Sequence, residues 1–228
     1  MTAEFDRYAA RYDEVLNAAL AATGEDAAFF LRGRAQWLAR CLAARSVRAQ
    51  SLLDFGCGVG SAAPVFLDVL GVDSILGVDV SPGVVDAARR DHGSPRVHFA
   101  LRDEQEPDGR FDLAFTNGVF HHIPRAEQAA AAAYVFRTLR PGGLLAFWEN
   151  NPWNPGTQYV MSRCAFDRDA VTLAPRTARR LLRAAGFEVL RTDFLFVFPR
   201  SLHSFRPLEP FLTRWPIGAQ YQVLGRKP

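Results

Sequence analysis

Five short apolar runs interleaved with helical patterns set the tightest limit on how this chain folds. They are "SLLDFG" from residue 51, "SILGVDVS" from 74, "RVHFAL" from 96, "FDLAFTNG" from 111 and "LLAFWEN" from 144. Helices are expected from about Ser61 to Leu70, after Pro82, and from about Pro124 to Arg140, where "PGG" ends an alanine-rich stretch. Strands apolar at successive positions are buried on both faces, which points to a largely parallel sheet with helices on each side.

The C-terminal third changes rhythm. "APRTARRLLRAAGF" reads as a last helix, "EVLRTDFLFVFP" as one long strand and "AQYQVLGRK" as a terminal strand. No crossover helix of ordinary length precedes that terminal strand, so it is expected to run antiparallel beside its predecessor. Two helical patterns, "TAEFDRYAARYDEVLNAALAA" and, after a break at Gly24, "EDAAFFLRGRAQWLARCLAA", come before the first strand.

A chain of 228 residues buries one sizeable core. The expected organisation is a helical cap over residues 1–48 and one domain over 49–228, with inserts at about 151–174 and 200–218. Cys41, Cys57 and Cys164 are odd in number and widely spaced, which fits a reduced compartment better than a disulfide framework or a metal site. The N-terminus alternates charged with apolar residues, unlike a signal peptide, and no run approaches the ~20 apolar residues of a membrane span. A soluble, cytoplasmic protein is expected. A formal net charge of +3, with no basic stripe, argues against a nucleic-acid partner.

"LLDFGCGVGS" follows the first strand with glycines at 56, 58 and 60, spaced G-x-G-x-G. A dinucleotide loop has the spacing G-x-G-x-x-G and rests a pyrophosphate on a helix N-terminus. Asp54, two positions before the first glycine, suits a ligand bearing an ammonium or sulfonium better than a pyrophosphate. Asp79 closes the next strand roughly 20 residues on, where a carboxylate can accept from both hydroxyls of a ribose. Capping the helix at Pro82 is its alternative task, one that Ser81 performs equally well.

From these residues the chain resembles the class I S-adenosylmethionine-dependent methyltransferases, over about residues 50 to 150. "LLDFGCGVG" is similar to that family's first motif and "GVDVSP" to its acidic second-strand motif. "FDLAFTNGVFHHIP" and "LRPGGLLAFWE" are similar to its fourth- and fifth-strand motifs, all in order. The resemblance implies an α/β, Rossmann-like three-layer sandwich around a seven-stranded, mostly parallel sheet of order 3-2-1-4-5-7-6, the last strand antiparallel. It implies S-adenosyl-L-methionine as cofactor. Asp54, Gly56 and Gly58 would meet its methionine end, Asp79 and Val80 its ribose, Asp103 and Glu104 its adenine, and Asn117 its methyl-bearing portion. An N-terminal aromatic such as Tyr12 would close over it, and Arg34 could pair with its carboxylate.

Methyl transfer from a sulfonium is an in-line displacement, so alignment and desolvation are the protein's main tasks. A base is needed only when the acceptor must lose a proton. His121 and His122 enter a helix about 100° apart, so one faces the cleft and the other packs. The expectation is His121 on the acceptor with His122 second, although a packed, hydrogen-bonded histidine explains the pattern equally. Glu149 and Asn150, at the carboxyl end of the fifth strand, are candidates to orient the acceptor.

The two inserts are expected to bring Trp153, Tyr159, Met161, Phe166, His203, Phe205, Phe211 and Trp215 over the cleft, as a pocket for an apolar or aromatic small molecule. Their arginines, among them Arg168, Arg200 and Arg206, offer a grip on an acceptor anion or act as solvated surface. The leading reading is an O-directed methyltransferase for a small molecule, of a bacterial specialised-metabolite or cell-envelope sort. A protein that binds the cofactor without methyl transfer (sensor, assembly partner or cyclisation catalyst) is the alternative from another class. An NAD-dependent oxidoreductase is disfavoured by the glycine spacing, Asp54 and the antiparallel final strand.

Overall fold

The computed structural model describes residues 12–165, 167 and 170–228, with backbone alone for Tyr12 and Asp13. The start of the first helical pattern, the side chain of Tyr12, and Phe166, Arg168 and Asp169 lie outside the described residues.

Seven strands form one sheet: β1 (Ser51–Phe55), β2 (Ser74–Asp79), β3 (Val97–Leu101), β4 (Phe111–Asn117), β5 (Leu139–Asn150), β6 (Glu188–Leu195) and β7 (Gln220–Arg226). Their spatial order is β3-β2-β1-β4-β5-β7-β6, as the resemblance implied. The first five pair in parallel, so Phe55, Asp79, Leu101, Asn117 and Asn150 end on one edge of the sheet. β7 is antiparallel to both β5 and β6.

Eight α-helices accompany the strands among the described residues. They are α1 (Tyr12–Leu20), α2 (Ala27–Ala43), α3 (Ala63–Val69), α4 (Pro82–His92), α5 (Arg125–Thr138), α6 (Pro155–Arg163), α7 (Pro175–Ala184) and the short α8 (Glu209–Leu212). The pleat sends alternate side chains to opposite faces. Leu52, Leu113, Leu144, Ala146 and Trp148 join Leu38 and Phe66 in one core, while Leu53, Ala114, Leu145 and Phe147 join Val135 and Leu182 in the other. Each such large apolar side chain, once fully buried, stabilises the fold by about 1.5–3 kcal/mol.

Two boundaries differ from the expectation. Thr138 ends α5 and the chain is already extended at Leu139, with Gly142 at φ 79 where the N–H donates to Lys227 O. The long sixth strand stops at Leu195, because Phe196 adopts a left-handed φ of 62 and turns the chain out of the sheet. That turn sets the Phe196 ring 5.0 Å from the ring of Phe30 on α2. A Cβ at Gly33 would stand 2.7 Å from Phe196 Cε1, so only glycine lets α2 approach this ring so closely.

Candidate active site

The loop after β1 is shaped by glycines that serve different purposes. A Cβ at Gly56 would stand 2.3 Å from Val119 Cγ2, and one at Gly60 would stand 2.7 Å from Phe99 Cζ, so packing requires both. At Gly58 (φ 55) a Cβ would meet nothing within 4 Å, which leaves open space above the backbone there. The Gly58 N–H donates to Asp79 Oδ2 at 3.1 Å, tying the loop to the tip of β2.

Asp79 Oδ1 also accepts from the N–H groups of Val80 (2.7 Å) and Ser81 (3.1 Å). Burial raises its pKa, while these amides and Arg102 oppose the rise. The N-cap of α4 falls to Ser81, whose hydroxyl accepts from Val84 N–H, so Asp79 does not serve as that cap. Asp54 is buried on β1. Desolvation, helped by the charge on Asp79 and opposed by Arg34, pushes its carboxyl up to about 7.

Two cavities lie along the edge where the parallel strands end. One, of about 320 Å³, is bordered by Gly56, Gly58, Asp79, Val80, Asp103 and Asn117 among others. The other, of about 430 Å³, is enclosed by α1, α2, α6 and the segment after β6, with Phe29, Phe30, Tyr159, Met161, Phe196 and Phe198 in its wall. Asn117, Gly118 and His122 border both. Asn117 Oδ1 is buried there without a hydrogen-bond partner. Such a group costs free energy unless something polar meets it.

Beside this junction the two histidines part company. His121 is buried, its Nδ1 2.5 Å from Glu149 Oε2 and its Nε2 3.4 Å from Asp167 Oδ1. Burial alone would lower its pKa, but Glu149 and Asp167 outweigh that and push it up to about 10. The ring is therefore a cation at neutral pH. Glu149 is anchored in turn by the N–H of Phe120 at 2.9 Å. Asp167, despite burial that opposes it, is held well below the carboxylate range by hydrogen bonds from His121 and His122. His122 Nε2 lies 3.3 Å from Asp167 Oδ1. Donor atoms of His121, His122 and Asp167 lie within 4.8 Å of one another, a spacing that a small cation would accept.

The remaining sequence candidates are dispersed. Asn150 and Tyr159 border the larger cavity, and Asn150 Oδ1 accepts from Gln220 Nε2 at 3.2 Å. Arg34 also borders it, buried, with Nη1 donating to Gln220 Oε1 at 2.9 Å. Arg206 faces the same space but pairs with Glu25 at 2.8 Å, whereas Arg200 is exposed and borders neither cavity. Glu104 follows Asp103 in the turn after β3, yet it borders neither cavity. Trp153 points outward, stacked on Phe194. His203, Phe205, Phe211 and Trp215 are likewise exposed and outside both cavities. Asp167 was missed by sequence reasoning. Its only signal was an aspartate in an insert leaving the ligand edge of the sheet.

A family model described as a methyltransferase domain matches residues 52–143. Trans-aconitate 2-methyltransferase of Methylobacterium nodulans is 32% identical over 216 residues, covering 86% of this chain and 81% of that one. Ribosomal protein L11 methyltransferase of Burkholderia vietnamiensis is 33% identical over 101 residues, so this chain spans only 31% of it. Among solved structures, an S-adenosylmethionine-dependent methyltransferase of Thermotoga maritima superposes with a TM-score of 0.66 over 100% of both chains, at 21% identity. With these matches beside the strand order, the chain belongs to the class I S-adenosylmethionine-dependent methyltransferases.

Proposed function

We propose that the protein methylates an oxygen of a small apolar or aromatic molecule, with the donor in the smaller cavity and the acceptor in the larger. The shared border at Asn117, Gly118 and His122 carries this reading, because among the described residues these line both cavities. Phenylalanines and Met161 in the larger cavity suit an apolar body. The relative named for trans-aconitate supports an acceptor of small size.

Asp54, Gly56 and Gly58 would hold the methionine end of the cofactor, Asp79 and Val80 its ribose, Asp103 its adenine side and Asn117 its methyl-bearing end. Tyr12 and Glu104 stay in the proposal on resemblance alone. The open space at Gly58 and the unmet amide oxygen of Asn117 fit a polar ligand approaching the loop. Bound S-adenosylmethionine supplies an electrophilic methyl group on a sulfonium. The walls align the acceptor and exclude water, which in well-oriented systems contributes about 7–11 kcal/mol.

His122 is the residue we place at the acceptor proton. Its Nε2 lies 3.3 Å from Asp167 Oδ1 and its side chain borders both cavities, which sets an imidazole where donor and acceptor would meet. His121, as a buried cation clamped by Glu149, holds Asp167 in position and acts through it. Tritium-labelled donor offered with hydroxyl-bearing and amine-bearing aromatic acceptors tests the assignment. O-methyl products support it; transfer confined to nitrogen, or binding without transfer across the panel, overturns it.

The raised pKa of Asp54 makes cofactor affinity depend on pH. Below about 7 the free carboxyl holds a proton, and a ligand cation beside it favours the ionised form, so binding expels that proton. Affinity is therefore expected to climb by up to about tenfold per pH unit toward 7 and then level off. Calorimetry with S-adenosylhomocysteine from pH 5 upward, with Asp54→Asn as the flat control, checks it. An unchanging affinity across that range in the wild type refutes it.

A further inference from the structure

The segment from Arg200 to Ile217 anchors itself through a few inward polar groups and leaves most of its large apolar side chains exposed. Inward, Glu209 Oε1 accepts from the N–H groups of Val197 and Phe198, both at 3.0 Å. Arg206 pairs with Glu25 and lies 4.4 Å over the Phe29 ring, and Thr213 O accepts from Phe194 N–H at 2.7 Å. Outward, Leu202, Phe205, Leu208, Phe211, Trp215 and Ile217 are between 44% and 80% exposed. Residues Arg200–Leu208 form a 3₁₀ helix. The run kinks at Leu202 (φ −113, ψ 25); beyond the kink Phe205 and Leu208, three positions apart, share a face, and with Leu202 before it and Phe211 on α8 they make up an exposed apolar ridge. Six exposed large apolar side chains within residues 202–217 are more than the single scattered ones of ordinary surface, and point to an interaction surface.

The charges around the ridge select its partner. Arg200 and Arg214 are exposed near its two ends, whereas Glu209, the one carboxylate between residues 200 and 217, is turned inward. Arg214 is steadied by Thr192 O at 3.1 Å and by Asp193 at 3.6 Å, and Asp193 also pairs with Arg191. Arg191, Arg200 and Arg214 against Glu209 and Asp193 leave this end positive. A protruding ridge of Leu, Phe and Trp flanked by arginine is the composition of a helix lying in the headgroup region of an anionic membrane. A second copy of this chain would bring like charges together at both ends of the ridge. Among the described residues no helix is long and apolar enough to cross a membrane, so contact of this kind rests on the surface.

We infer that this ridge docks the protein on an anionic lipid bilayer. Arg206 of this segment, with Pro199 just before it, walls the larger cavity, so docking sets that cavity close to the lipid surface. The inference does not depend on which acceptor atom is methylated.

Sedimentation of the full chain with vesicles tests it, using phosphatidylcholine alone and phosphatidylcholine mixed with phosphatidylglycerol. The protein is expected in the pellet with the mixed vesicles. Phe211→Glu together with Trp215→Glu should weaken partitioning by about tenfold or more while calorimetric binding of S-adenosylhomocysteine is kept. Arg200→Gln with Arg214→Gln should remove the preference for phosphatidylglycerol. No pelleting with either vesicle overturns the inference, and so does equal pelleting of the wild type and the glutamate variant. A concentration-dependent dimer in ultracentrifugation, lost in the glutamate variant and accompanied by no vesicle binding, overturns it in favour of a second copy.

Discussion

Asp79→Ala is expected to lower the affinity for S-adenosylhomocysteine by about a hundredfold or more. Hydrogen bonds to a charged partner contribute about 1.5–3 kcal/mol each, so losing two ribose hydroxyls amounts to about 3 kcal/mol at the least. Each 1.4 kcal/mol is a factor of ten. The substitution also strands the N–H groups of Gly58, Val80 and Ser81, which now converge on this one carboxylate, so a fall in thermal stability should accompany the weaker binding. The helix cap does not confuse the result, because Ser81 performs that task. Calorimetry on a variant shown by circular dichroism to be folded provides the measurement. Undiminished affinity there removes Asp79 from the cofactor and with it the placement of the donor cavity.

The second large effect concerns the adjacent histidines, which should fail in different ways. His122→Ala should lower kcat by about 10²–10⁴ with cofactor affinity nearly unchanged, the range expected when a positioned base is lost. Asp167→Asn should follow in the same direction, because Asp167 orients that ring. His121→Ala should act first on the fold. It removes a buried cation from between Glu149 and Asp167 and leaves the two carboxylates facing one another, a change of about 3–5 kcal/mol for a broken buried pair. A melting scan separates the cases. If His121→Ala melts like the wild type but has lost turnover, while His122→Ala turns over normally, the two roles must be exchanged.

The sheet was legible in the sequence because its signals are local. Apolar runs, a glycine loop and acidic strand tips repeat at spacings that only a few folds accommodate, and even the antiparallel β7 followed from the lack of space for a crossover. The gathering of Gly56, Gly58, Asp79 and Asn117 along one edge, with Asp54 buried in β1 behind it, follows from the parallel order, since strand ends in such a sheet converge. The direction of side chains in the inserts was not legible. Trp153, His203, Phe205 and Phe211 lie in short helices and turns whose facing is set by distant bonds, such as Glu209 to Val197 and Asn154 to Ile217. Nor does the sequence separate His121 from His122. The distinction comes from Glu149, 28 positions away, and Asp167, 46 positions away, which trap one ring between them.

The place of β7 between β5 and β6 also constrains the order in which the molecule can assemble. During synthesis β6 emerges before the strand that will join it to the sheet, and the 24 residues between them must pass before it has a neighbour. Until then its unpaired backbone and Phe194 are open to adhesion with other nascent chains. Closure of that flank is therefore a late, long-range event.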